Sequence, residues 1–271
     1  MDPKPPPSSA EEPVPDKPLD SDCCGQGCQP CVFDIYEQNL RIWQTRQIQG
    51  GNSELATRMS SDNFTSCSLV SIDALTDSTF LYTFSLPPGQ YLRSNPGQHL
   101  ILNALSHDKH SVSRQYSIYH VKDDCTAFSV IIKLYSEGVV SRIISQWSFG
   151  IQCRWRGPMG DFVHTPLKFS KLFLLGMGTG IVPLLSVIRS ILNDEMDETF
   201  LHLVCGFRQM TDVFPLDELK VFSAFWNFKL TLCLSRDKTA PSFRPGQIIC
   251  DQRIDLDLIK SPKLNLPDDL V

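Results

Sequence analysis

A chain of 271 residues with a net charge of −5 has room for two modest domains, each with its own core. Apolar residues make up 42% and charged residues 20%, the balance of an ordinary soluble protein. The mild acidity excludes general nucleic-acid binding, which needs a dense Lys and Arg field to displace counter-ions, and leaves open a local basic patch for an acidic partner.

Residues 1–20 are Pro, Ser and acid and are expected to be disordered, because they bury too little apolar surface to offset chain entropy. They hold neither the basic-then-apolar pattern of a secretory signal nor the Arg-rich pattern of a transit peptide. The most apolar stretch, Leu172 to Ile188, is broken by Gly176, Gly178, Gly180 and Pro183, and it falls short of the roughly 20 residues of a bilayer span. The expectation is therefore an intracellular chain in a reducing compartment, cytosolic or peripheral to a membrane, with no transmembrane segment. Cys67, Cys125, Cys153, Cys205, Cys233 and Cys250 are scattered singly and fit small buried hydrophobes.

Residues 21–50 form a separate segment holding Cys23, Cys24, Cys28 and Cys31, followed by a short amphipathic helix through Tyr36, Leu40 and Trp43. Gly50 to Ser53 make a flexible break, and the main body is placed from near Ser61. Over 62–165 short β-runs alternate with turn signals, with strands at Ser68–Ile72, Thr79–Leu86, His99–Asn103, Tyr116–His120, Ala127–Tyr135 and Gln152–Arg156. This spacing predicts a small antiparallel barrel, with one helix at Val139–Gln146. From 170 to 271 the rhythm becomes strand Leu172–Leu175, helix Ile181–Leu192, strand Phe200–Cys205, helix Pro215–Phe222 and strand Phe228–Leu234. Strands alternating with helices predict a parallel α/β sheet.

Three short motifs carry chemistry. Gly176-Met177-Gly178-Thr179-Gly180 lies at a strand-to-helix junction, where glycines admit a pyrophosphate and the helix start offers free N–H groups. In Arg114-Gln115-Tyr116-Ser117 the Arg suits a phosphate, the Tyr a ring face and the Ser a ring edge. Gly138-Val139-Val140-Ser141 opens the helix within the barrel with a Gly and a hydroxyl. Each alone is also an ordinary turn, strand or helix cap.

In chain order these motifs, with Lys133-Leu134-Tyr135 and Arg156-Gly157-Pro158-Met159-Gly160 between them, resemble the ferredoxin-reductase superfamily and, within it, the NADH–cytochrome b5 reductases. Pro96-Gly97-Gln98-His99, Phe228-Lys229-Leu230 and Gly246 add to a resemblance that runs over about 62 to 271. It implies an antiparallel Greek-key β-barrel holding FAD, then a parallel-sheet domain holding the nicotinamide dinucleotide. Arg114, Gln115, Tyr116 and Ser117 would hold FAD phosphate and ring. Ile131, Lys133 and Tyr135 would line the flavin site, and Gly138, Val139, Val140 and Ser141 its pyrophosphate. Gly178, Thr179, Gly180 and Val182 would face the nicotinamide side, with Cys205-Gly206-Phe207-Arg208 as a later dinucleotide contact. Hydride transfer between cofactors needs no acid–base residue, so none is assigned and His99 and His164 are taken as structural.

The chain departs from the family pattern at three places. Val182 stands where the family has a second Thr. Ser235-Arg236 stands where an acid usually disfavours a 2′-phosphate, so NADH is the expected donor by family and NADPH by local chemistry. The family's Cys-Gly-Pro turn and C-terminal aromatic are missing, which implies a nucleotide-binding domain without its last elements and an open sheet edge. Cys23, Cys28 and Cys31 have a ferredoxin-like spacing within a segment resembling the cysteine-rich "oxidoreductase-like" N-terminal motif. Metal or cluster ligands, redox thiols and a docking segment all remain open for it. The expected reaction is hydride transfer from NADH to FAD and electron release to a one-electron acceptor such as cytochrome b5. Two alternatives are a non-catalytic flavin- or metal-binding relative with a defective nicotinamide site, and a reductase feeding an iron–sulfur acceptor.

Overall fold

Aromatic and β-branched residues alternating with polar ones fold the first half of the chain into strands. The computed structural model describes residues 17–19, 33, 36, 40, 56–105, 111–166, 168–237, 248–255 and 257–258. Two compact units divide the chain, Met1–Ala56 and Thr57–Val271, and the elements below belong to the second.

Its strands begin with β1 (Thr57–Arg58), β2 (Thr65–Thr76), β3 (Thr79–Ser85), β4 (Gln90–Tyr91), β5 (His99–Leu105), β6 (Ser111–Val121), β7 (Ala127–Lys133) and β8 (Gln152–Met159). Six of them close a barrel in the order β2-β3-β7-β6-β5-β8, antiparallel at every seam, while β1 and β4 form a small parallel pair. Closure removes the unpaired edges that an open sheet would expose. The barrel is filled by aromatics. Phe84 and Phe128 stack at 5.4 Å, and the fully buried Trp155 meets their edges at 5.0 and 5.4 Å. Truncating Trp155 to Ala would cost about 3–5 kcal/mol by the usual scale for large core residues. Helix α1 (Val139–Ile144) adds Val140 and Ile144 to this core.

The second half holds β9 (Lys171–Met177), β10 (Phe200–Phe207), β11 (Phe228–Leu234) and β12 (Ile248–Cys250), a parallel sheet in the order β12-β11-β10-β9. Helices α2 (Val182–Leu192) and α3 (Leu216–Phe222) pack with it. The central β10 is buried along nearly its whole length, as a parallel strand must be when both faces are covered. No helix among the described residues is long and apolar enough to cross a membrane.

Barrel and sheet share a core. Ile131 of β7 is buried among the sheet-domain residues, and Leu75, Leu81 and Tyr119 of the barrel pack against the same cluster. The backbone N–H of Gly97 donates to Ser186 Oγ at 2.8 Å, and His164 Nε2 lies 2.6 Å from Asp197 Oδ2.

The predicted barrel and parallel sheet are both present, with shifted boundaries. Packing starts before Ser61, because Met59 is buried and Ser60 accepts from Gly157 N–H at 2.9 Å. Strand β6 begins five residues before Tyr116, since its polar start Ser111–Gln115 is paired throughout with β5. Strand β8 continues past Arg156 to Met159 through a register shift against His99 and Ile101, where Gly157-Pro158 suggests a turn. Residues 178–181 form a 3-10 turn, so the regular helix starts at Val182 and not Ile181. Residues after Leu258 lie outside the described residues.

Candidate functional site

The mouth of the barrel and the strand ends of the sheet meet at two adjoining clefts. The first, about 320 Å³, is bordered by Arg114, Gln115, Tyr116 and Ser117 of β6, Ile131 and Lys133 of β7, then Tyr135, Gly138, Val139, Val140, Ser141, Thr179 and Val182. The second, about 350 Å³, is bordered by Met177, Gly178, Thr179, Gly206, Phe207, Arg208, Asp212, Cys233, Ser235, Arg253 and Ile254. Lys133, Tyr135 and Thr179 border both.

Strand β6 presents Arg114, Gln115, Tyr116 and Ser117 at the barrel mouth. Tyr116 packs edge-on to Trp155 at 5.9 Å, and burial pushes its phenol up to about 12, against the opposing pull of Arg114. It is therefore a neutral hydrogen-bonding group at physiological pH. Arg114 donates from Nη1 to the carbonyl of Ser113 at 2.8 Å. Among the described residues neither Arg114 nor Lys133 forms an ion pair, so both cations meet the cleft without an internal counter-ion. Such a pair suits a phosphate-bearing ligand.

The floor of the first cleft is a turn tied to α1. Ser141 Oγ accepts the Tyr135 N–H at 3.0 Å, and Gly138 N–H donates to the Tyr135 carbonyl at 3.1 Å. A Cβ on Gly138 would sit 2.8 Å from Ser141 Oγ, so only glycine leaves this cradle undisturbed. Tyr135 itself is 58% exposed, an aromatic plate at the seam of the two clefts. Across the seam, Gly178 takes φ +51°, the left-handed region that favours glycine, and opens the 3-10 turn that carries Thr179. Val182, buried to 2%, supplies an apolar wall.

The second cleft is built where β10 and β11 end side by side. Ser235 N–H donates to the Phe207 carbonyl at 3.1 Å and Arg236 N–H to the Arg208 carbonyl at 2.7 Å. Burial pushes the Cys233 thiol up to about 12, which makes it a neutral wall group. Arg208 and Arg253 bring positive charge, with Asp212 as the acid.

The structure thus gathers most of the residues singled out from the sequence, and leaves three outside. Cys205 is fully buried on the helix-covered side of the sheet, where burial raises its thiol strongly, and its neighbour Gly206 borders the cleft instead. Gly180 and Arg236 border neither cleft, because the 3-10 turn directs Thr179 inward and Ser235 occupies the strand end. Phe207 joins Gly206 and Arg208 from the expected dinucleotide run, whereas Met177, Asp212, Cys233, Arg253 and Ile254 were not foreseen. Met177 sits between two of the motif glycines and could have been found; Asp212, Arg253 and Ile254 come from segments with no local pattern. Cys67, Cys153, Cys205, Cys233 and Cys250 are buried as small hydrophobes, and Cys125 is half-buried. Cys23, Cys24, Cys28 and Cys31 lie outside the described residues.

Comparison with known proteins follows the same division. Residues 66–164 match the oxidoreductase FAD-binding domain, residues 174–263 the oxidoreductase NAD-binding domain, and residues 11–50 the N-terminal region of oxidoreductase-like proteins. A Homo sapiens protein named NADH-cytochrome b5 reductase-like is 34% identical over 234 residues, covering 83% of this chain and 74% of its own. The Mus musculus protein of the same name is 33% identical, with 82% and 74% covered. Among solved structures, the cytochrome b5 reductase domain of Ulva prolifera nitrate reductase superposes with a TM-score of 0.63 at 17% identity, covering 78% of this chain and 96% of that one. A ferredoxin NADP+ reductase from Neisseria gonorrhoeae with bound FAD and NADP gives 0.61 at 18% identity, covering 75% and 78%.

Proposed function

The chain belongs to the NADH–cytochrome b5 reductase-like oxidoreductases, which carry an FAD-binding and an NAD-binding domain, and we propose that its two adjoining clefts seat FAD and NADH side by side. The observation that carries this reading is the shared seam. Two ligands that both touch Lys133, Tyr135 and Thr179 are close enough to react directly. FAD, when bound, would accept a hydride from the nicotinamide and release electrons singly to an acceptor.

The chain's own residues bind, orient and exclude water. Arg114 and Lys133 would neutralise the FAD pyrophosphate, and the Gly138–Ser141 turn would pass it without steric contact. Tyr116 and Ser117 would hydrogen-bond the flavin and its attached chain, while Ile131, Val139, Val140 and Val182 would give it an apolar bed. On the other side, Thr179 and Gly178 would fix the nicotinamide end, with Gly206, Arg208 and Ser235 along the rest of the dinucleotide. Barrel residues 62–165 would then be the FAD domain and residues from 170 on the nicotinamide domain. For the acceptor we propose cytochrome b5, after the names of the relatives.

The donor is argued by charge. Arg208, Arg253 and Ser235 border one cleft with a single acid, Asp212, so a 2′-phosphate finds cations there. NADPH is thus the competing donor. Anaerobic titration of the FAD-loaded chain with NADH and separately NADPH tests both points. The flavin absorbance should bleach stoichiometrically, and the donor that reduces it faster at equal low concentration is the preferred one. A flavin that stays oxidised with both would overturn the reading.

A further inference from the structure

A hydrogen-bonded clamp joins the two domains behind the clefts. Tyr119 belongs to β6, two residues beyond Ser117. Arg189 belongs to α2, seven residues beyond Val182. Arg189 Nη1 donates to the Tyr119 carbonyl at 2.8 Å, and its guanidinium lies 5.0 Å from the centre of the Tyr119 ring. Glu218 of α3 accepts from both. Its Oε1 takes Arg189 Nε at 2.9 Å as well as Nη2, and its Oε2 takes the Tyr119 hydroxyl at 2.8 Å. The Arg189 and Glu218 side chains retain only 27% and 17% exposure, so solvent screens the pair weakly. Burial, then the charge of Glu218, hold the Tyr119 phenol well above its usual range, so it stays a donor.

The strand and the helix joined by this clamp are the ones that carry the two halves of the site. Strand β6 brings Arg114 to Ser117 to the first cleft, and α2 begins at the turn that brings Thr179 to the seam. Both are rigid elements, and their closest polar tie away from the clefts is Arg189 to the Tyr119 carbonyl. We propose that Arg189, oriented by Glu218, is a positioning residue that sets the separation of the flavin and nicotinamide rings. The proposal rests on the two-cleft reading above. It differs from a general packing role because it concerns reaction distance: a shift on the order of 1 Å between reacting groups slows transfer by about 100-fold while each ligand keeps its own contacts.

The test uses FAD-loaded full-length chain. Arg189→Met keeps the length of the stem and removes every donor. In anaerobic stopped-flow with saturating NADH, flavin reduction should slow by about tenfold or more. Binding of NAD+, read by its perturbation of the flavin spectrum, should stay within about threefold, which corresponds to under ~1 kcal/mol. Arg189→Lys keeps the charge but lacks the planar fork that reaches the Tyr119 carbonyl and Glu218 Oε1 together, so its rate should fall between those of Arg189→Met and the parent. An Arg189→Met rate within twofold of the parent overturns the proposal, as does a fall in NAD+ affinity that accounts for the whole loss. Should Arg189→Met not fold, Glu218→Gln serves in its place, with about threefold slowing expected and an unchanged rate overturning the idea. Hydrogen exchange without any donor gives a second readout. Peptides covering 118–121 and 184–192 should lose protection in the variant while β3 and β7 keep theirs; unchanged protection at 118–121 overturns the clamp. If the parent chain is bleached by neither NADH nor NADPH, the donor reading fails and hydrogen exchange alone decides the clamp.

Discussion

At Gly138 a single missing carbon shapes the floor of the first cleft. Its Cβ would come within 2.8 Å of Ser141 Oγ, the atom that accepts the Tyr135 N–H. Alanine there must push Ser141 aside or break that bond, so the turn opens and Tyr135 loses its anchor. Crowding of this kind costs about 1–3 kcal/mol. Gly138 caps α1 at the border of the first cleft and outside the barrel core, so the cost to the fold is local while the shape of the cleft changes. Gly138→Ala should therefore weaken FAD binding by about tenfold or more, read by fluorescence titration of the apo-chain. The melting temperature without FAD should fall by only a few degrees. Unchanged affinity would remove this turn from the flavin site. The motif Gly138-Val139-Val140-Ser141 was visible in the sequence, but its reason was not: Ser141 bonds backward to Tyr135, whereas α1 has no side-chain N-cap bond at all.

Within the elements, β10 is the clearest case of a strand legible from composition, and its one polar residue carries a consequence. Phe200–Phe207 is an apolar run of the length and content of a parallel strand buried on both faces. His202 lies in the middle of it at 1% exposure, 2.9 Å from Thr231 Oγ1 on β11 and 5.4 Å from the Phe173 ring on β9. Burial, then the charges of Lys229 and Lys171, lower it from 6.5 to about 4. The unfolded chain takes up a proton near pH 6.5 that the folded chain refuses until about pH 4, so the contribution is intact above 6.5 and drains as pH falls through that window. By linkage this amounts to about 2 kcal/mol at pH 5. His202→Gln, which retains a partner for Thr231, should shrink the loss of unfolding free energy between pH 7 and pH 5 by about that amount, measured by denaturant unfolding at both values. An equal pH dependence in both proteins would mean that His202 is protonated inside the sheet. Other elements were less legible for a common reason. The pair β1 and β4 and the polar half of β6 are strands because of their partners, with no apolar run of their own, and the apolar run of β12 is only Ile248–Cys250, too short to signal a strand.

At the scale of the molecule, the barrel-then-sheet order was readable because the period of the pattern changes between them. The meeting of the two was not readable. Arg114 to Ser117, Lys133, Tyr135, Gly138 to Ser141, Thr179 and Val182 are spread along the chain as ordered motifs, yet they converge on one cleft. Asp212, Cys233, Arg253 and Ile254 complete the second cleft through tertiary contacts that no short window encodes. The same convergence bears on the N-terminal segment. Among the described residues, all that border either cleft and all members of the two large cores lie at or beyond Met59. The packing of Met1–Ala56 is a separate compact unit. Removing residues 1–56 should therefore leave the flavin spectrum, the bleaching rate with NADH and the melting temperature within experimental scatter of the full chain. Reduction of an added acceptor is the discriminating measurement. If cytochrome b5 is reduced equally fast by both forms, electrons leave directly from the flavin cleft and the segment has another role. If only the full chain reduces the acceptor, electrons leave through the segment bearing Cys23, Cys24, Cys28 and Cys31, and replacing those residues with Ser in the intact chain should reproduce the loss.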